Sequence, residues 1–153
     1  MRIYLAAPVF SQFHRQYNRL LAGKIQELLP RSTVMLPQDF RLGPGATFNS
    51  RRYSSALFRR CMDEVANADA VIALLDGADA DSGVAFEVGY ARASGKPVVG
   101  VRTDYRQSQV KGLNVMLAEG CSVVICHFSF NEDFDSLAKA VITGLEKAAS
   151  PRR

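Results

Sequence analysis

The chain has 153 residues, 48% of them hydrophobic and 22% charged, with a formal net charge of +4 at pH 7, which suits one globular domain with a full core rather than two small ones. No apolar run nears the roughly 20 residues that span a bilayer, and Met1 leads directly into a strand pattern, so neither a membrane segment nor a secretory leader is expected and the cytoplasm is the expected compartment. The basic residues are scattered apart from Arg51-Arg52, Arg59-Arg60 and the tail Pro151-Arg152-Arg153, a pattern of solvated faces rather than the stripe that marks a nucleic-acid partner.

Arg2 to Ala6 reads as a first strand. Ser11 to Leu29 carries Phe13, Tyr17, Leu20, Leu21, Ile25 and Leu28 at helical spacing, which predicts a helix with one apolar face, stopped by Pro30. Thr33 to Leu36 is a short second strand. Pro37 to Ser50, with Gly43-Pro44-Gly45, is a long irregular loop, and loops of that length are often functional. Arg51 to Asn67 reads as a helix, Asp69 to Leu75 as the third strand, and Ser82 to Ser94 as a helix that Gly95 ends. Pro97 to Val101 is the fourth strand, Gly112 to Ala118 a short helix, and Ser122 to Cys126 the fifth strand. Asp133 to Lys147 closes the pattern as a helix with Phe134, Leu137, Ala138, Val141 and Leu145 inward. Strands that alternate with helices imply a parallel sheet covered on both faces, here in a single α/β domain without repeat or linker.

In such folds ligands gather outside the carboxyl ends of the strands. The loops to inspect are therefore Ala7 to Phe10, Gln38 to Ser50, Asp76 to Ser82 and Arg102 to Asn114, where Tyr4, Asp76, Asp81 and Glu87 converge. Glu87 is the most informative of these. It is embedded among Val84, Ala85, Phe86 and Val88, and no Lys or Arg lies between Asp76 and Ala91. A carboxylate taken out of water is costly unless donors or opposite charges offset the loss, so Glu87 is a candidate nucleophile or general base. The alternative is an outward glutamate on an amphipathic helix.

Several chemistries lack their signatures. The chain has no Gly-x-Gly-x-x-Gly or Gly-x-x-x-x-Gly-Lys-Ser/Thr phosphate loop and no Gly-x-Ser-x-Gly elbow. Cys61, Cys121 and Cys126 form no Cys-x-x-Cys pair, and His14 and His127 are the only histidines. Neither a metal site nor a disulfide framework is expected, and the thiols read as reduced and mostly buried.

Ile3 to Phe10, Asp69 to Gly77, Asp81 to Ala91 and Gly95-Lys96-Pro97 together resemble the nucleoside 2-deoxyribosyltransferase family, over a stretch from Tyr4 to about Asn114. The resemblance implies a flavodoxin-like (Rossmann-like) fold, a five-stranded parallel sheet with helices on both faces. It also implies transfer of a 2-deoxyribosyl group between a deoxynucleoside and a free nucleobase, with retained configuration and no cofactor. Glu87 would attack the anomeric carbon and form a covalent glycosyl intermediate, consistent with the two displacements that retention requires.

The same resemblance gives the other residues their roles. Tyr4 would orient the Glu87 carboxylate; otherwise it is a half-buried strand aromatic. Asp81 would accept a hydrogen bond from the sugar 5′-hydroxyl, or serve as a helix N-cap, and Gly83 of the same block is grouped with the substrate-binding positions. Asn114 would reach the sugar of a neighbouring subunit, which requires a homo-oligomer, a dimer or hexamer, with shared active sites. Gln38 would face the nucleobase with an amide that donates and accepts. Asp76 is the acid best placed to protonate the departing base, or else a turn residue before Gly77.

Cys61 falls at about the place where some transferases carry a base-contacting aspartate. A thiol there either tunes base preference or simply packs, and Asp63 or Asp76 would have to substitute as the acid. Three other activities compete with transfer. A nucleoside 5′-monophosphate N-glycosidase is disfavoured because Asp81 would repel a phosphate dianion, where the relatives of that kind place serine. A nucleoside hydrolase would differ only in letting water resolve the intermediate. A non-catalytic nucleoside-sensing module is compatible with the fold, but the joint presence of Tyr4, Asp81, Glu87 and Asn114 favours catalysis.

Overall fold

Strands β1 (Arg2–Ala6), β2 (Thr33–Met35), β3 (Ala70–Leu74), β4 (Val98–Arg102) and β5 (Val123–Cys126) pair in parallel in the order β2-β1-β3-β4-β5. The computed structural model describes residues 1–106, 113–131 and 133–149. Because side chains alternate across a strand, Ile3 and Leu5 join Val34, Ile72, Leu74, Val99 and Val101 on one face, while Tyr4 and Ala6 join Val71, Ala73, Leu75 and Val98 on the other. Helices α1 (Gln12–Leu28) and α5 (Phe134–Ala149) cover the first face with Leu21, Ile25, Leu137 and Val141. Helices α2 (Arg51–Asn67), α3 (Ser82–Ala93) and α4 (Val115–Gly120) cover the second with Val65, Val84, Val88, Ala91 and Leu117. A sheet buried on both sides explains why its strands read as continuous apolar runs. This is the flavodoxin-like order, whose reversal between β1 and β3 opens a crevice at their carboxyl ends.

Local chemistry sets the element boundaries. Ser11 caps α1, its hydroxyl accepting from His14 N at 3.2 Å, and Ser50 caps α2 by accepting from Tyr53 N at 3.0 Å. Strand β2 ends at Met35, earlier than expected, because Pro37 opens a 3-10 turn over Pro37–Asp39 inside the stretch that reads as irregular. Gly95, at φ +70°, ends α3 in the left-handed conformation that favours glycine. The expected start of the fourth helix at Gly112, and the basic tail, lie outside the described residues.

Two expectations need correction. The buried stripe of α1 runs through Asn18, Leu21, Ala22 and Ile25, whereas Phe13, Leu20 and Leu28 are exposed. Asn18 is buried because its amide has partners, donating to Pro8 O and to Gln38 Oε1, both at 3.0 Å; a hydropathy pattern does not register such a row. Of the three free thiols, Cys121 is buried and Cys61 half-buried, but Cys126, on the edge strand, is exposed.

Arg51, Arg52, Arg59 and Arg60 all lie exposed on α2. Arg60 Nη2 is 2.7 Å from Glu64 Oε1, and Arg2 also pairs with this buried carboxylate. Among the described residues, no helix is long and apolar enough to cross a membrane, and no group of three or more His, Cys, Asp or Glu side chains is placed to hold a metal ion.

Candidate active site

The period of β1 sends Tyr4 to the face covered by α2 and α3, where it is fully buried. Glu87 reaches the same place through helical spacing. It lies three residues after Val84 and four before Ala91, both buried against the sheet, so the stripe that packs α3 carries the carboxylate to its margin, while Phe86 is exposed. Tyr4 Oη donates to Glu87 Oε1 at 2.6 Å, within the range of charge-assisted O–H···O⁻ bonds. The two residues are 83 positions apart and meet only because β1 and β3, which leads into α3, are neighbours in the sheet.

Burial is the largest influence on the ionisation of this pair. It pushes Glu87 up from 4.5 to about 7; the Tyr4 hydroxyl opposes the rise, the Asp81 charge adds to it, and the Cys61 thiol opposes it again. Tyr4 is held far above the ordinary phenol range by burial and then by the Glu87 carboxylate. Burial also raises Cys61 to about 11, with the Tyr4 hydroxyl partly offsetting it. Cys61 is therefore a neutral thiol at pH 7, next to both members of the pair. The site presents a carboxylate poised to ionise near neutrality and oriented by a phenol that keeps its proton. That is the state a nucleophile or base requires.

Asp81 stands at the entrance to α3 as its N-cap, Oδ1 accepting from Gly83 N at 2.9 Å and Val84 N at 3.0 Å. Gly83 lies exposed in the first turn of the helix. A Cβ there would come within 3.0 Å of Asp81 Oδ1, so the glycine leaves room for the cap.

Asp76 takes the turn placement that is one of its two expected roles, and the Gln38 amide is engaged by α1. Asp76 Oδ1 accepts from Thr103 N at 2.5 Å and Asp104 N at 2.9 Å, and Oδ2 accepts from the Thr103 hydroxyl. Both oxygens are thus engaged in fastening the end of β3 to the segment after β4, which is the turn role and not that of a free acid. Gly77 completes the turn at φ +111°, where a Cβ would meet Asp79 O at 2.8 Å. The Gln38 amide, expected at the nucleobase, instead ties the 3-10 turn to α1: Nε2 donates to Arg15 O at 2.9 Å while Oε1 accepts from Asn18. Asn114 is exposed and caps α4, Oδ1 accepting from Met116 N at 2.8 Å; the adjoining Val115 and Met116 are exposed as well.

Phe40 and Arg102 have no signal in the sequence pattern. The Phe40 ring lies 6.5 Å from that of Tyr4, centroid to centroid, and the Arg60 guanidinium lies over the Phe40 ring, 5.3 Å from its centroid. An aromatic residue in an irregular loop shows no periodicity to announce such a wall. Arg102 is buried at the end of β4, donating to Leu75 O at 2.7 Å, Gly77 O at 3.2 Å and Arg106 O at 3.0 Å. It holds together the loops that frame the carboxyl edge of the sheet.

Comparison with known proteins bears on the family and the fold. The sequence profile of the family described as nucleoside 2-deoxyribosyltransferase matches residues 3–145. A nucleoside deoxyribosyltransferase of Limosilactobacillus fermentum is 25% identical over 126 residues, covering 78% of this chain and 75% of that protein. A solved structure of a conserved protein from Enterococcus faecalis V583 matches with a TM-score of 0.75 at 26% identity, over 94% of this chain and 98% of that one. A 2-deoxyribosyltransferase from Bacillus psychrosaccharolyticus shares the fold, with a TM-score of 0.70 at 23% identity over 90% of both chains. With the profile spanning nearly the whole sequence, and the Tyr4 and Glu87 blocks brought together at the switch point of the sheet, this chain belongs to the nucleoside 2-deoxyribosyltransferase family.

Proposed function

We propose that this protein transfers a 2-deoxyribosyl group from a deoxynucleoside to a second free nucleobase through a covalent glycosyl-Glu87 intermediate. Family membership carries N-glycosyl transfer or hydrolysis as the class of chemistry. The observation that supports the nucleophile is the Tyr4–Glu87 hydrogen bond of 2.6 Å at a site that holds the carboxyl near a pKa of about 7.

In the first step a Glu87 oxygen bonds to C1′ as the N-glycosidic bond breaks, and the electron pair leaves with the base nitrogen, which takes up a proton from solvent. In the second, a nitrogen of the acceptor base bonds to C1′ and releases its proton to solvent as the carboxylate departs. Two inversions at one carbon give net retention. Tyr4 orients the carboxylate, and Asp81, half-buried beside the pair, meets the sugar 5′-hydroxyl with its free oxygen. Cys61 lies against the pair as a neutral neighbour of the substrate. Asp76 is given no proton-transfer role because its oxygens are occupied.

Asn114 acts in the site of a second copy, a reading that its exposure beside exposed Val115 and Met116 supports. Glu87→Gln and Asn114→Ala chains, each inactive alone, are then expected to regain activity when mixed and allowed to exchange subunits. Separation of the products by chromatography tests the reaction itself. A new deoxynucleoside that appears only when a second base is added supports transfer. Free base and sugar irrespective of acceptor would make the protein a hydrolase instead.

A further inference from the structure

A cavity of about 430 Å³ lies on the face of the sheet opposite Tyr4 and Glu87, among α1, α5 and the segments that follow β4 and β5. Its wall residues Tyr17, Phe134 and Leu137 belong to the cluster around Ile3 and Leu5, whereas Tyr4 belongs to the other cluster. The volume falls within the ~300–1,000 Å³ typical of small-molecule pockets.

Two features define what fits. The rings of Tyr17 and Phe134 pack 5.1 Å apart as one wall, and Phe13 and Phe130 stand at the rim from α1 and from the loop after β5, 68% and 90% exposed. Among these rings lie the amides of Gln16 and Asn131, the Thr103 hydroxyl and the His127 imidazole, so donors and acceptors are interleaved with aromatic surface. The Thr103 hydroxyl already donates to Asp76 and His127 Nε2 lies 3.1 Å from Ser136 Oγ, so it is the Gln16 and Asn131 amides that an apolar helix docked here would leave without partners, which is costly. A planar ring with donors and acceptors on its edge satisfies both features, stacking on the aromatics and bonding at its rim. The described lining holds no Lys or Arg, and its one charged residue is Asp133, whose Oδ1 accepts from Ser136 N at 2.9 Å. The described lining thus offers no permanent positive charge to compensate a phosphate.

We propose that this cavity is a second binding site, separate from the Tyr4–Glu87 pair, for a neutral planar heteroaromatic of nucleobase size. The proposal does not depend on the transfer reaction, because binding is read without turnover. His127 lines the cavity and is one of only two histidines in the chain, so its ring protons report occupancy directly by proton NMR. Titration of the full chain with adenine, and separately with thymine, is expected to give a saturable shift of His127, while thymidine 5′-monophosphate leaves it in place. Glu87→Gln is expected to retain the shift. Phe130→Ala, at a rim position whose loss does not threaten the fold, is expected to weaken binding about 5- to 100-fold, as for the loss of one base–aromatic stack. The proposal fails if His127 stays unmoved up to the solubility limit of both bases, or if the monophosphate shifts it equally. It also fails if Phe130→Ala keeps a response that Glu87→Gln abolishes, or if the signal follows protein dilution instead of added base, which would make the cavity a face between copies.

Discussion

Replacing Tyr4 by Phe removes one hydroxyl and leaves the buried ring in place. What is lost is the donor that holds Glu87 Oε1 at 2.6 Å and lowers the pKa of that carboxyl against burial. A hydrogen bond to a charged group contributes about 1.5–3 kcal/mol, equivalent to about 1–2 pH units at 1.36 kcal/mol per unit. Glu87 would then rise from about 7 toward roughly 8–9, with the Cys61 thiol as the remaining opposing neighbour. Since only the carboxylate attacks, the ionised fraction at pH 7 drops from about one half to roughly 1–10%, and base exchange slows roughly 5- to 50-fold. The deficit narrows as pH rises through the new pKa, because both proteins are then ionised. A profile of kcat/KM against pH for deoxynucleoside–base exchange reads this as an acid limb displaced upward. An acid limb at the same pH as in the unaltered chain, with a loss equal at every pH, would refute the assignment of Tyr4 to the ionisation of Glu87.

Glu87→Gln is expected to abolish exchange, a fall on the order of 10⁴–10⁶-fold, and to stabilise the fold at neutral pH. The folded-state pKa of this acid is raised from 4.5 to about 7, so the native state holds its proton more tightly and the group costs stability progressively as pH rises across that interval. With screening at a half-buried site, the gain in the variant is about 1–2 kcal/mol at pH 8 and vanishes near pH 4, measurable by urea unfolding at the two pH values. Asp81→Asn keeps the N-cap but removes a charge that raises Glu87, so its acid limb moves to lower pH, while Asp81→Ala also loses about 1 kcal/mol of stability to the missing cap. Arg102→Met leaves the carbonyls of Leu75 and Gly77 without their buried donor; a loss of about 2–4 kcal/mol in thermal or urea unfolding is expected.

The fold is legible in the sequence wherever burial alone decides the pattern. β1 and β3 read as strands because both of their faces are covered, and α3 is marked at both ends by Asp81 and Gly95. The stripe of α1 is misread because Asn18 is buried by its hydrogen bonds, a property of Pro8 and Gln38 rather than of its own hydropathy. In the site, the embedded setting of Glu87 is local and readable, but its partner Tyr4 is set by strand order. Asp76 shows the same limit: whether it caps a turn or offers an acid depends on Thr103, 27 residues away. Gln38 is drawn to α1 by Arg15 and Asn18, a contact that exists only once the turn after β2 has packed. Arg102 shows no signal beyond the end of an apolar strand, since its acceptors are backbone carbonyls contributed by two loops.

The most direct test of the account is to look for the sugar on Glu87. Protein mixed with a deoxynucleoside in the absence of acceptor base, quenched in acid within the first turnover and mapped by peptide mass spectrometry, is expected to carry a 2-deoxyribosyl group on the peptide that contains Glu87. Addition of a second base before the quench discharges the adduct into a new deoxynucleoside, and Glu87→Gln protein carries none. Steady turnover with an unmodified Glu87 peptide, and a product of inverted anomeric configuration, would contradict covalent catalysis by this carboxylate.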